Sequence, residues 1–161
     1  MATASAAPPL DAQSLYTSFK TCKVVKSGES VGEDWSISRC AGLGGYDLFL
    51  SYDDARDDLT LLHKGSPPTE LGLFGLSGGG FSSLGDTAEW RGNGSGIGFA
   101  PTALIVRHVV SENSDKAERQ TSKLLVVDLA QRCVVGQVRP QAGQNEAARA
   151  IADGPRRKCL R

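Results

Sequence analysis

The chain has 161 residues, 40% apolar and 22% charged, with eighteen basic side chains balanced by eighteen acidic ones. That composition excludes a disordered chain, and zero net charge excludes a molecule-wide pull toward nucleic acid or anionic lipid. The length suits one domain with a sizeable core, and no apolar run approaches the ~20 residues of a membrane-spanning helix.

Residues 1–9, within "MATASAAPPLDAQ", read as a flexible lead, and residues 10–161 as a single globular domain. The start lacks the basic and apolar regions of a signal peptide. Small residues before Pro-Pro look like the mature start of an exported protein, with Met1 an added initiator. "DAQSLYTSF" predicts a short helix, with Asp11 as N-cap and Leu15, Tyr16 and Phe19 at helical spacing. "CKVV" opens the first strand, "SGESVGED" is a turn, and "WSISRC" alternates as the antiparallel partner of "CKVV". That hairpin brings Cys22 near Cys40 at its open end.

"GLGG" supplies a tight turn. Tyr46, Leu48, Leu50 and Tyr52 then share one face of a strand, and "DDARDD" turns the chain back into "LTLL". The aspartates lack the glycine and distal Glu of a calcium loop, so they are expected to form an acidic, solvated hairpin turn. Residues 64–85 read as irregular. "DTAEWRG" is a strand with Ala88 and Trp90 inward, and Trp35 is expected to cover the same core from the other side. "NGSGIGFAP" is a loop whose glycines open onto a strand, unlike a phosphate-cradling loop, which opens onto a helix.

"TALIVRHVV" is the longest β-branched run and is expected to be central. Its His108 shares a face with Leu104, Val106 and Val110, and Arg107 points the other way toward Glu89 or Asp128. His63, at a strand end, is expected to be exposed. After the polar connector 111–120, "SKLLVVDL" is buried on both faces and "CVVGQV" closes the strands. "NEAARAIADG" is a terminal helix capped by Asn145, with Ala147, Ala150 and Ile151 on one face and Gly154-Pro155 as its stop. The basic tail "RRKCLR" is expected to be solvated. The fold class is mainly β, a β-rich α+β protein: an antiparallel sandwich or barrel with a short helix at each end.

Cys22, Cys40, Cys133 and Cys159 form no CxxC, and no His stands at zinc-finger spacing. Four separated cysteines suit an oxidising compartment. Of three possible connectivities, the local one, Cys22–Cys40 and Cys133–Cys159, closes loops of about 18 and 26 residues, each worth roughly 3 kcal/mol. No metal or cofactor is expected.

Two arrangements raise the question of catalysis. "GLSGG" has the GxSxG form of a nucleophile elbow, and Asp86 and His108 follow in Ser…Asp…His order, which defines a small serine hydrolase using Ser77. That motif needs a helix after the serine, and "GFSSLGDT" opens one poorly. Paired carboxylates are present, but nothing organises them for acid–base work.

The segments around Cys40–Tyr46 and Gly85–Arg91, with an early Cys, a "GDTxEWR" stretch and a late Cys pair, resemble a family of small exported proteobacterial proteins with no established activity. The resemblance runs from about Leu15 to the C-terminal helix. It implies export and a single domain, and it supplies no catalytic residues. A second likeness is to periplasmic lysozyme inhibitors, small antiparallel barrels that insert an "SGxxY" segment and a Lys-Gly segment into the lysozyme cleft. Ser77 to Phe81 approximates the first segment and Trp90-Arg91-Gly92 the second, with Phe in place of Tyr and Arg in place of Lys. Such a site would deliver a hydroxyl and a cation to catalytic carboxylates. The expectation is therefore a non-enzymatic periplasmic or secreted protein that binds an envelope protein or ligand, with Ser77, Phe81, Trp90 and Arg91 as binding residues.

Overall fold

The computed structural model describes residues 12–112 and 119–160. The lead 1–9, Asp11 and connector residues 113–118 lie outside the described residues. The elements in chain order are β1 (Gln13–Ser18), β2 (Lys23–Ser27), β3 (Trp35–Ala41), β4 (Tyr46–Asp53), β5 (Arg56–His63), β6 (Thr69–Glu70) and a 3-10 turn at Leu73–Leu76. Then follow β7 (Ser82–Asn93), a 3-10 turn at Gly96–Gly98, β8 (Ala100–Val110), β9 (Thr121–Asp128), β10 (Cys133–Val138) and α1 (Gln144–Asp153).

The strands form one sheet in the order β10-β9-β8-β7-β5-β4-β3-β2, with β1 added to β7 and β6 to β5. All pairings are antiparallel except one: Arg56 of β5 meets Ser82 of β7 in a parallel bridge. The sheet is therefore mixed, and it is open, because its ends β2 and β10 do not pair with each other. A closed barrel is ruled out. Both halves still line one core: Cys40, Leu48, Leu59 and Leu61 from the β2–β5 half join Trp90, Leu104, Val106, Leu125 and Val127 from the β7–β10 half.

The predicted N-terminal helix is not formed. Gln13–Ser18 pairs with β7, setting Leu15 against Trp90 and Thr17 against Ala88. A helix this short has no stability of its own, whereas the free edge of β7 satisfies the backbone of an extended segment. Period two then operates: Leu15 packs against the core, Tyr16 is exposed, and the Thr17 hydroxyl accepts a 2.8 Å bond from the Trp90 indole N–H.

The Cys22–Cys40 hairpin forms as expected, with Lys23 opposite Arg39 and the two Cα atoms 4.4 Å apart across the disulfide. Cys133 and Cys159 form the second disulfide, Cα atoms 5.6 Å apart. It holds the tail beside β10, where the Leu160 amide donates to the Val134 carbonyl, so the basic terminus is stapled and not merely solvated. Two disulfides fit an oxidising, extracytoplasmic compartment. No helix among the described residues is long and apolar enough to cross a membrane.

The helix α1 covers the outer face of β8–β10, with Ala148 buried and Ala147, Ile151 and Ala152 packed around it. Ala150 is exposed, and Gly143, in a left-handed conformation, takes the N-cap position expected for Asn145. Gly136 lets the helix approach, since a Cβ there would come within 3.1 Å of Ile151. Arg107, facing this helix, takes neutral partners: the Ser122 hydroxyl and the side-chain amide oxygen of Gln144 in the first helical turn. Neither Glu89 nor Asp128 is its partner. Glu89 holds Arg149, and Asp128 caps the following turn.

Candidate functional site

The acidic stretch of the β4–β5 hairpin is the foundation of the site. Asp54 and Ala55 both adopt left-handed φ, 50° and 57°, in a two-residue turn that closes Asp53 onto Arg56. Such a turn matches the twist of the flanking strands. The next two aspartates are half-buried and engaged by backbone amides rather than simply solvated. Asp58 accepts the backbone amides of Leu59, Leu73 and Phe74, and Asp57 accepts the amide of Leu84 at 2.8 Å. The pKa of Asp57 is raised by burial, an effect that its bond to Leu84 opposes. The two carboxylates thus fix both ends of residues 73–84.

Two cations hold the middle of that segment. Lys123, projecting inward from β9, donates a 2.7 Å bond to the Leu76 carbonyl. Arg56 donates to the carbonyls of Gly79 and Gly80 and to Asp54. Gly78 and Gly79 have φ of 75° and 88°, a region that only glycine enters cheaply. The Ser77 hydroxyl closes the loop from within, donating to the Phe74 carbonyl at 2.7 Å and accepting the Gly79 amide. The result is a loop held by Asp58, Lys123, Arg56 and Ser77. It displays Phe74 and Phe81, 50% and 48% exposed, each ring centred 5.3 Å from the Arg56 guanidinium carbon.

Beneath the loop lies a buried polar cluster. His108 is fully buried, paired across the sheet with Leu84 on β7 and Lys123 on β9. Neither of its ring nitrogens, nor the Ser82 hydroxyl, has a hydrogen-bond partner among the described residues. Burial pushes the His108 pKa down to about 4. The neighbouring Lys123 charge adds to the effect, and Asp58 opposes it. Lys123 is itself lowered by burial, with Glu112 acting in the opposite direction at 3.8 Å. Arg139 holds Glu112 below the usual carboxylate range by hydrogen bonding.

The four predicted binding residues fall into two separate places. Ser77 and Phe81 belong to this loop, Ser77 fully buried and Phe81 displayed. Trp90 is fully buried in the core, beside Tyr46. Arg91 lies beyond it in a clamp with Asp153 of α1 and Ser14 of β1. The Ser77–Asp86–His108 order does not assemble a relay. The Ser77 hydroxyl is hydrogen-bonded to the Phe74 carbonyl, Asp86 stands at the surface 3.4 Å from Lys20, and His108 has no hydrogen-bond partner among the described residues. Asp86 is carried outward where the β7–β8 pairing is interrupted by a bulge between Leu84 and Ala88, although Thr87 still pairs with Ser18 of β1.

His63 is half-buried and stacks on Tyr46 at 4.1 Å, so it is less free than expected. Trp35 lies outside the core cluster, contrary to expectation. No cluster of three metal-ligating side chains occurs among the described residues. Arg56, Phe74 and Lys123 were not legible as site residues. The one available signal was a pair of phenylalanines bracketing a Gly/Ser run, "FGLSGGGF". Comparison with protein-family models, curated proteins and solved structures produced no significant match to this chain.

Proposed function

We propose that this chain is an exported, non-enzymatic binding domain of the bacterial envelope or exterior, and that it engages a protein partner through Phe74, Arg56 and Phe81. One observation carries the reading: two half-exposed phenylalanines flank an arginine on a loop already ordered from below. Aromatic residues and arginine dominate the energetics of protein interfaces, and a preordered loop loses little entropy on docking. The two disulfides support an oxidising compartment. The inward-turned Ser77 hydroxyl gives no support to lysozyme inhibition or to a serine hydrolase.

The test compares wild-type protein with Phe74→Ser/Phe81→Ser, both disulfide-intact, as baits in affinity capture from periplasmic and culture fractions. A protein retained by wild type and weakened by about tenfold or more in the variant is expected, since losing two interface aromatics removes at least ~1.4 kcal/mol. Equal retention by both baits argues against this face. C-type lysozyme is included as a named candidate, with wall lysis as the readout.

A further inference from the structure

Strand alternation puts His108 on the same face of β8 as Leu104 and Val106, and Leu73 and Leu76 of the display loop pack into that side of the core. The ring is fully buried, and neither nitrogen has a hydrogen-bond partner among the described residues. Its neighbours across the sheet are Leu84 on β7 and Lys123 on β9. A neutral ring fits this enclosure. An imidazolium would carry two N–H donors without acceptors and a charge without water. It would also oppose the Lys123 ammonium, a like charge in register on the next strand.

The other charged groups nearby are already engaged. Asp58 of β5 attracts a proton to the ring, but its oxygens hold the amides of Leu59, Leu73 and Phe74. Asp57 holds the Leu84 amide. Glu112 lies on the far side of Lys123, 3.8 Å from its ammonium, and is held by Arg139. Arg56 donates to Gly79 and Gly80, and Arg107 turns to the opposite face, toward α1. Charge on His108 is therefore relieved by reaching water. The loop above it is the cover with least to lose, because it is held in its middle by single contacts such as Lys123 to the Leu76 carbonyl, whereas β7, β8 and β9 are tied by continuous ladders.

We propose that residues 73–81 are an acid-opened latch: protonation of His108 drives Lys123 off the Leu76 carbonyl, lifts the loop to admit water, and dismantles the Phe74–Arg56–Phe81 face. Release of a partner in acid rests on the reading of that face as a binding site; the opening itself does not. The sign follows from proton uptake. The enclosed ring has a pKa of about 4, against 6.5 when hydrated. Opening therefore becomes about tenfold more favourable for each pH unit of acidification between those values, and gains nothing further below pH 4.

The test is amide hydrogen exchange on the intact, disulfide-bonded protein, expressed as protection factors from pH 7 to 4.5 with and without low urea. Protection across residues 73–81 is expected to fall on the order of fiftyfold, with little dependence on urea, since local opening exposes little surface. His108→Leu should abolish most of that fall. An equal fall in His108→Leu assigns the trigger to carboxylates and overturns the proposal. So does exchange of the loop with the same urea dependence as β8 and β9, which means global unfolding. Should the variant not fold, wild type decides by NMR: the His108 ring and the loop amides must titrate with one midpoint, and separate midpoints overturn the latch. For the binding consequence, a protein retained by wild-type bait at pH 7 should elute at pH 4.5 and stay on His108→Leu. Retention on wild type at pH 4.5 overturns the control of binding by the latch. If exchange reports opening while nothing is captured through Phe74 and Phe81, the binding reading fails and the latch stands.

Discussion

His108 and Lys123 face each other in register across β8 and β9, both almost fully buried. Lys123 is the residue that holds the Leu76 carbonyl of the display loop. A neutral imidazole therefore sits beside a buried cation, directly under the loop.

This geometry makes stability depend on pH. The folded pKa of His108 is about 4 against 6.5 when unfolded. Between those values the unfolded chain binds the extra proton, so this contribution to stability is complete above pH 6.5 and is lost as pH falls toward 4. The full span corresponds to about 3 kcal/mol. Urea denaturation at intervals across this range should show the decline. His108→Leu should reduce the slope and leave the protein equally or more stable, since it removes two buried nitrogens that have no hydrogen-bond partner among the described residues.

Lys123→Met removes the charge beside the imidazole while keeping an unbranched chain of similar length. The His108 pKa, followed by NMR, should rise from about 4. Amide exchange within residues 73–81 should quicken, because Leu76 loses its donor. Global stability at pH 7 should change by less than about 1.5 kcal/mol, the relief of a buried cation offsetting the lost hydrogen bond.

Gly80 is closed to any side chain. A Cβ there would overlap the Ser111 carbonyl, which is backbone and cannot step aside. At Gly79 a Cβ meets open space, but φ is 88°. Gly80→Ala should cost about 2 kcal/mol or more, and Gly79→Ala about 1 kcal/mol from backbone strain alone. Thermal unfolding of the two variants gives the order.

The disulfides can be separated by paired replacement. Cys22→Ala/Cys40→Ala and Cys133→Ala/Cys159→Ala should each lose roughly 3 kcal/mol in chemical denaturation. The first should also free β2, raising amide exchange at residues 23–27, and the second should release the tail from Val134.

Local pattern was sufficient for much of this molecule. The β-branched run "TALIVRHVV" and the two-faced apolar run "SKLLVVDL" located β8 and β9, the turn residues delimited the β4–β5 hairpin, and "NEAARAIADG" located α1, because residue type, period and chain reversal are properties of neighbouring residues. Hairpin reasoning also brought Cys22 to Cys40. Tertiary structure decided the rest. Gln13–Ser18 is a strand because β7 offered an unpaired edge, a fact held 70 or so residues away. Asp57, Asp58, Arg56 and Lys123 became the supports of one loop because the fold brought them beneath it, and no spacing along the chain records that meeting. Burial acted last: the same enclosure that turned Ser77 inward lowered the pKa of His108, since removing a side chain from water is a consequence of packing and not of sequence position.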